Sequence, residues 1–286
     1  MRFHITAIAP QGREMHGLQG YREPIETLHW GLKELGHDVE VRTNAYAEDR
    51  TNIVFGIQMA TPLLVDELPR DTIVYQLEQM AGLRLAQLKP AYQAVARRLR
   101  VWDYSERNLE TWHALQPVHP PLVVPIGWAP TLTRIPKRQN EDIDVLLYGS
   151  PGDERFTILK ELGAAGVRFV FACGLYGAAR DELISRAKIV LNINRYSRSR
   201  IFEVVRTSYL LANAKAVVAD LHPNTFVEPD LRDAVAFAPL NRITATCLEL
   251  LENEPARRWL EARGPEVMRR RDIRNILRAA LQAHGA

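Results

Sequence analysis

The chain has 286 residues, of which 47% are hydrophobic and 25% are charged, a balance that allows a large buried core and excludes an intrinsically disordered protein. Its 37 basic residues are nearly matched by 34 acidic ones, and the formal net charge of +3 argues against general electrostatic attraction to nucleic acid. With only two cysteines this is not a disulfide-stapled secreted domain, and we expect both thiols to be reduced.

Short strands alternate with helices along the first half of the chain. Residues 3–9 are predicted to form a strand, and a glycine-bearing loop then leads to a helix that ends at Gly36. Further strands are predicted at residues 39–41, 52–56, 72–77, 101–104 and 123–124, with a helix over 83–99 and another through Trp112. This order is typical of a doubly wound parallel sheet.

The same alternation begins again after residues 130–142, an irregular, proline-containing segment that suits a linker. Strands are predicted at residues 144–148, 169–173, 189–193, 216–219 and 234–237, with helices at 156–165, 178–186 and 202–212 and two more at the end of the chain. The sequence therefore predicts two Rossmann-like α/β domains facing across a cleft, at residues 1–132 and 133–286. The last helix is also able to pack back on the first domain.

The richest segment for chemistry lies at residues 188–220. A buried strand leads there into a loop with Arg195, Arg198 and Arg200, and a helix follows with Glu203 in its first turn. Guanidinium groups beside free helix amides suit a diphosphate, and a carboxylate can accept two hydroxyls of a ribose. The alternative is that Glu203 only complements the helix dipole and that the arginines are solvated.

An ordered set of short motifs extends this segment. It comprises Phe-Glu-Val-Val-Arg at 202–206, Tyr-Leu-Leu-Ala-Asn at 209–213, Ala-Val-Val-Ala-Asp at 216–220, Tyr-Gln-Leu-Glu-Gln at 75–79, Asp-Tyr-Ser at 103–105, Val-Pro-Ile-Gly-Trp at 124–128, Asp-Val-Leu-Leu-Tyr-Gly-Ser at 144–150 and Gly-Leu-Tyr-Gly at 174–177. The set resembles the donor-site region of GT-B glycosyltransferases. It is most similar to a bacterial glycosyltransferase-like family with an E-x-x-R-x-S-Y-L-L-x-N donor-site helix.

The resemblance implies that the C-terminal domain binds a nucleoside-diphosphate sugar. By position, Glu203 would hold the ribose, and the diphosphate would be bound by Arg200, Arg198, Arg195 and Asn194. Gly149 and Ser150 would lie close to the phosphates or the sugar. The pocket for the base would be lined by Gly174, Leu175 and Tyr176. Relatives usually place His-Tyr-Tyr after the strand-end asparagine, whereas Asn194-Arg195-Tyr196 follows here. The missing histidine removes one candidate donor ligand or proton carrier.

Arg206 lies three residues after Glu203, one turn along the predicted helix. Side chains at this spacing are neighbours on a helix surface. We expect Arg206 to pair with a carboxylate, and direct contact with the ligand is the alternative.

The N-terminal domain is expected to hold the acceptor. A transferase that inverts the sugar needs a base for the acceptor hydroxyl, and histidine, glutamate or aspartate can serve. Glu78 follows a buried strand at its carboxyl end, so it is either a site residue or the cap of the next turn. His16, in a glycine-rich loop, is the other candidate base or a mobile surface histidine, and Asp103 is expected to be structural, bonded to loop amides near Ser105.

The sequence predicts a metal-independent glycosyltransferase that moves a sugar from a nucleoside-diphosphate sugar to a hydroxyl of a glycan, protein or small molecule, with a nucleic-acid acceptor not excluded. The histidines lie too far apart for a metal-ligand motif, so no metal and no cofactor besides the donor is expected. Two alternatives stay open, a non-catalytic nucleotide-binding module and a nucleotide-sugar epimerase. A dinucleotide oxidoreductase is disfavoured, because no Gly-x-Gly-x-x-Gly follows a strand.

The first residues enter a strand directly and lack the hydrophobic stretch of a signal peptide. No window reaches the roughly 18 uncharged apolar residues that a membrane span requires. We therefore expect a cytoplasmic protein of bacterial type with no transmembrane segment.

Overall fold

The structure, a computed structural model, describes residues 1–9, 19–194 and 200–284. It divides into two compact units, the first formed by Met1–Thr131 with Arg271–Ala286 and the second by Leu132–Arg270. Three predicted site residues, His16, Arg195 and Arg198, lie outside the described residues.

The first unit is built on a parallel sheet. Its strands in the described part of the chain are β1 (Arg2–Ala7), β2 (Asp38–Thr43), β3 (Thr51–Phe55), β4 (Ile73–Gln76), β5 (Arg100–Asp103) and β6 (Leu122–Val123), in the order β2-β1-β3-β4-β5-β6. The helices that accompany them are α1 (Arg22–Glu34), α2 (Pro62–Glu67), α3 (Pro90–Ala96) and α4 (Leu109–Ala114). Strand β4 is buried along its whole length, as expected where helices cover both faces of a parallel sheet.

The second unit repeats this architecture. Its described strands are β7 (Ile143–Tyr148), β8 (Phe169–Ala172), β9 (Ala187–Asn192), β10 (Ala216–Asp220) and β11 (Ala236–Ala238), in the parallel order β11-β10-β9-β7-β8. Its helices are α5 (Asp153–Ala164), α6 (Gly177–Arg186), α7 (Val204–Ala212), α8 (Ile243–Glu252) and α9 (Glu254–Arg270). An apolar core around Leu147, Leu191 and Val218 joins the central strands to the helices. The predicted α/β class with two parallel sheets is therefore confirmed.

In both sheets the strand order reverses beside the first strand of the unit. The reversal falls between β1 and β3 in the first sheet and between β7 and β9 in the second. The loops that leave two such strands run in opposite directions, which opens a crevice at their carboxyl ends. These two edges are where the fold favours ligand binding.

A helix lies within the predicted range of residues 83–99, but its predicted start is wrong. Residues Leu85–Gln87 form a 3₁₀ turn, and an α-helix begins only at Pro90. Proline lacks an amide hydrogen and disfavours helical geometry at the residue before it, so it starts a helix rather than continuing one. Helix α2 was also not predicted.

The end of the chain holds three helices rather than the predicted two. Helices α8 and α9 are followed by α10 (Ile273–Ala283), which belongs to the first unit and packs against α1. A side chain at Gly31 of α1 would meet Ile273 and Leu277 at 2.8 Å, so glycine at this position allows the close approach.

The segment predicted as a linker is irregular, but its first residues are bound to the second unit. The Oδ1 atom of Asn213, at the end of α7, accepts hydrogen bonds from the backbone amides of Arg134 and Ile135, each at 2.8 Å. Its Nδ2 donates to the carbonyl of Leu132, also at 2.8 Å. One buried asparagine thereby fixes where the chain enters this unit.

Candidate functional site

The candidate site lies at the carboxyl edge of the second sheet, where the strand order reverses. The loops after β7 and β9 leave the sheet there, and helices α5 and α7 begin beside them. Backbone amides at the start of a helix have no partner within the helix and point toward this edge, which favours an anion.

Gly149, directly after β7, has a backbone conformation that other residues rarely adopt, with φ of 129°. Its amide donates to the carbonyl of Ala172 at 2.9 Å, which holds the turn against β8. A Cβ atom at this position would lie 3.2 Å from Nη2 of Arg206 and 3.3 Å from Nη1 of Arg155. Two guanidinium groups therefore lie against one glycine, as in a site built for a negatively charged ligand.

Arg155, in the first turn of α5, is only 4% exposed. Its Nε and Nη2 donate to the carbonyl of Ile193 at 3.0 and 2.6 Å, and Nη1 donates to the carbonyl of Ser150. It therefore ties together the two loops that flank the strand reversal. Sequence reasoning missed Arg155; the available signal was its position in a helix that follows a glycine-containing turn after a strand.

Arg206 does not pair with a carboxylate within the described part of the chain, so the prediction of an ion pair is wrong. Its Nη1 donates to the carbonyl of Tyr148 at 3.2 Å, and its guanidinium lies 5.2 Å from the centre of the Tyr148 ring. The spacing argument assumed that Glu203 was helical, and it is not. The half-buried charge instead faces the Gly149 turn, where it can meet a ligand.

Glu203 precedes helix α7 instead of lying in its first turn, which corrects the prediction. The backbone of Phe202 pairs with Phe226, and this pairing keeps the chain extended up to Glu203, whose φ and ψ of −73° and 70° are not helical. Its side chain is half-buried and makes no hydrogen bond or ion pair to the described residues. A carboxylate at a helix start that has no partner among residues 1–9, 19–194 and 200–284 is suited to accept hydrogen bonds from hydroxyl groups.

Asn194 anchors the loop that follows β9. Its backbone amide donates to Oδ1 of Asp220 at 2.7 Å, and its Nδ2 donates to Oδ2 at 3.1 Å. Burial raises the pKa of the Asp220 carboxyl, and the hydrogen bonds from Asn194 act in the opposite direction. Both the backbone amide and the side-chain amide of Asn194 are thus directed at Asp220, an interaction that connects the end of β9 to the end of β10.

The other predicted donor residues lie at neighbouring positions of the second unit. Arg200 is exposed, and its carbonyl accepts from the amide of Phe226 at 2.8 Å. Gly174 lies in the loop after β8 with φ of 69°, and Tyr176 directly precedes α6. Leu175 between them is half-buried. This loop follows the strand next to β7, one position further from the strand reversal.

Glu78 follows β4 in the first unit and is exposed. Its Oε1 accepts from Nε2 of Gln58 at 2.9 Å and from the hydroxyl of Tyr21 at 3.4 Å. Burial, together with the charge of Glu78, raises the pKa of the Tyr21 hydroxyl, so this tyrosine stays protonated as a donor. The carboxylate is therefore oriented by side chains from two other parts of the unit.

No group of three or more His, Cys, Asp or Glu side chains that could hold a metal ion occurs among residues 1–9, 19–194 and 200–284. Metal independence stays a prediction. None of the helices in the described ranges is both long enough and apolar enough to cross a membrane.

No protein-family model matches the chain. A curated relative, the uncharacterized protein L140 of Acanthamoeba polyphaga mimivirus, is 23% identical over 242 residues, which cover 82% of this chain and 75% of the relative. The uncharacterized protein R358 of the same virus is 24% identical over 232 residues, covering 78% of this chain and 80% of that protein. Both relatives are viral, so the expected bacterial origin is not supported.

Solved structures give a stronger comparison. Anabaena HepE in complex with UDP-glucose matches with a TM-score of 0.62 at 12% identity over 99% of both chains. WaaG, a glycosyltransferase involved in lipopolysaccharide biosynthesis, matches with a TM-score of 0.61 at 11% identity over 98% of both. TarM has a TM-score of 0.60 at 13% identity; 82% of this chain is covered, but only 55% of TarM. The chain has the GT-B fold seen in these structures.

Proposed function

We propose that the protein is a glycosyltransferase that takes a nucleoside-diphosphate sugar at the carboxyl edge of the second sheet and transfers the sugar to a hydroxyl group. The observation that carries the proposal is the pair of guanidinium groups of Arg155 and Arg206 against Gly149, at the point where the strand order reverses. The GT-B fold, and the UDP-glucose bound by HepE, support a nucleotide sugar as the ligand.

In the proposed reaction the acceptor oxygen attacks the anomeric carbon while the bond from that carbon to the diphosphate oxygen breaks. Negative charge then grows on the leaving diphosphate. Arg206 and Arg155, with the amides at the start of α7, would stabilise that charge electrostatically, the role that a divalent cation has in other transferases. Arg206 is the better placed of the two to reach the ligand, because Arg155 already donates to two carbonyls.

Glu203 is proposed to accept hydrogen bonds from the ribose hydroxyls, since its carboxylate has no partner among the described side chains. Glu78 is proposed to receive the proton of the acceptor hydroxyl. Its carboxylate is exposed and is oriented by hydrogen bonds from Gln58 and Tyr21, and a carboxylate can act as a general base.

The test begins with a thermal-shift screen of UDP, GDP, dTDP, ADP and CMP sugars, because a ligand that binds only the native state raises the melting temperature. Calorimetry then compares R206A with R242A, a matched control whose arginine pairs with Glu249 on the surface. Loss of a charged hydrogen bond predicts binding weaker by about 10- to 100-fold in R206A and no change in R242A. Equal affinity of R206A and the unmodified protein for the selected nucleotide would refute the site.

Glu203 is tested with the ribose itself. The unmodified protein should bind UDP more tightly than its 2′,3′-dideoxy analogue, and E203A should lose that preference while still binding inorganic pyrophosphate. If the preference persists in E203A, the carboxylate does not contact the ribose.

Release of UDP from UDP-glucose, with and without candidate acceptors, distinguishes the three activities considered. A glycosyltransferase should release UDP faster when a suitable acceptor is added. Tight binding without release would indicate a non-catalytic binding module. A changed sugar in the absence of any acceptor would indicate epimerisation.

A further inference from the structure

The last residue of β9, Asn192, places an amide at the end of an apolar strand. Ile189, Val190 and Leu191 before it are fully buried, and Asn192 is itself only 2% exposed. It lies at the carboxyl edge of the second sheet, beside the reversal of strand order between β7 and β9. An amide buried in this way has to find its hydrogen-bond partners within the protein.

The side chain of Asn192 connects β9 to the start of α7. Its Nδ2 donates to Oγ1 of Thr207 at 3.1 Å and to the carbonyl of Glu203 at 3.5 Å. Thr207 is fully buried in the first turn of α7, and its backbone amide also donates to the carbonyl of Glu203, at 3.3 Å. One side chain of the sheet thus contacts both ends of the turn that runs from Glu203 to Thr207.

The oxygen of the Asn192 amide is buried without a partner. No hydrogen bond reaches this Oδ1 atom from residues 1–9, 19–194 and 200–284. A buried polar atom that is left unpaired costs free energy, and an apolar side chain at the end of β9 would not carry that cost. Stability alone therefore does not account for an amide at this position. Such departures from good packing are expected where a residue serves a binding site.

Glu203 depends on this connection more than its neighbour Arg206 does. The carboxylate of Glu203 makes no hydrogen bond or ion pair to the described residues, so contacts of the backbone set its position. The bond from Asn192 to its carbonyl is one of these contacts. Arg206 has an anchor of its own, since its Nη1 donates to the carbonyl of Tyr148 at 3.2 Å. Loss of the Asn192 side chain should therefore displace Glu203 more than Arg206.

We propose that Asn192 is a positioning residue through which the donor site distinguishes a ribose from a sugar that lacks hydroxyl groups. Its amide fixes the backbone of Glu203 against β9, and the carboxylate of Glu203 is thereby held where the two ribose hydroxyls reach it. This role rests on the proposed binding of a nucleoside-diphosphate sugar. Asn192 itself does not touch the ligand.

The experiment compares the binding of UDP and of its 2′,3′-dideoxy analogue to the full chain by calorimetry. The unmodified protein should prefer UDP by about 10- to 100-fold, because the hydrogen bonds involve a charged acceptor. N192L should reduce that preference by about tenfold or more and should still bind inorganic pyrophosphate, because Arg206 keeps its anchor. The double variant N192L/E203A should bind both nucleotides as E203A does, since Asn192 acts through Glu203.

Thr207 supplies a second set of variants, which carries the test if N192L does not fold. T207V removes the hydroxyl that accepts from Asn192 and should lower the preference for UDP, whereas T207S keeps the hydroxyl and should retain the preference. S208A is the matched control. Ser208 is 3% exposed, and its hydroxyl donates to the carbonyl of Val205 in the same helix at 3.0 Å. S208A should keep the full preference.

The outcomes separate the positioning role from the proposed function. If E203A loses the preference for UDP while the folded Asn192 and Thr207 variants keep it, the positioning role is overturned and the proposed function stands. Equal losses in T207V and S208A would also overturn the role, because they would reflect a general loosening of α7. If the unmodified protein does not bind UDP, or if E203A keeps the preference, the role is overturned together with the proposed contact between Glu203 and the ribose.

Discussion

The side chain of Asp103, at the end of β5, is buried within the first unit. It accepts hydrogen bonds from the amide of Ser105 at 2.9 Å, from Nδ2 of Asn108 at 3.0 Å and from Nε1 of Trp112 at 2.8 Å. Burial raises its pKa to about 7, and the hydrogen bonds act in the opposite direction. The predicted structural role is confirmed, since this side chain connects β5 to the turn and helix that follow.

The raised pKa makes stability depend on pH. An aspartate in the unfolded chain releases its proton near pH 3.9, whereas folded Asp103 releases it near pH 7. The folded state therefore binds more protons in this window, and the free energy of unfolding should fall by up to about 1.4 kcal/mol per pH unit between pH 4 and 7, then level off. Urea unfolding of the protein and of D103N across this range measures the difference. Identical pH slopes in the two proteins would contradict the prediction.

At the scale of elements, the turn between β7 and α5 combines a strained backbone with two charged side chains. G149A should lose about 1 kcal/mol of stability from its backbone conformation and should also weaken UDP binding, because the new methyl group displaces Arg206 and Arg155. G166A is the matched control, since Gly166 has φ of 77° with nothing within 4 Å of an added Cβ. It should lose similar stability and keep its affinity for UDP. Equal UDP affinities of G149A and G166A would show that the turn does not shape the site.

At the scale of the whole molecule, the chain returns to its first unit through α10. The amide of Trp128 donates to the carbonyl of Arg271 at 2.7 Å, and the amide of Ile273 donates to the carbonyl of Trp128 at 3.0 Å. Leu277, fully buried, then packs against α1 at Gly31. A helix more than 140 residues away in the sequence thus completes the core of the first unit.

The L277A variant should be destabilised by about 2–5 kcal/mol, the usual range for a buried leucine. UDP affinity should be unchanged, because the proposed nucleotide site belongs to the second unit. R278A, on the exposed side of the same helix, should change stability by less than about 0.5 kcal/mol. Thermal unfolding followed together with UDP titration measures both effects. Reduced UDP affinity in L277A would contradict the proposed position of the nucleotide site in the second unit.

The alternation of strands and helices was predictable because hydrophobic periodicity is a local property of the chain. The predicted strands at residues 144–148 and 216–219 lie in observed strands. Gly149 directly follows the first of these strands, and Asp220 is the last residue of the second. The boundaries were less predictable. Helix α7 starts after Glu203, because Phe202 pairs with the distant Phe226, and no pattern within residues 200–212 contains that information.

Residue types and their order along the chain therefore sufficed for the α/β class and for the edges at which ligands are favoured. The partners of Arg155 and Arg206 and the return of α10 to the first unit depended on contacts between residues far apart in sequence. Periodicity reports which face of an element is apolar, but the partner of a charged or buried polar group follows from the packing of whole elements. In this protein the side chains proposed to bind the nucleotide sugar are therefore positioned by contacts between residues that are far apart in the sequence.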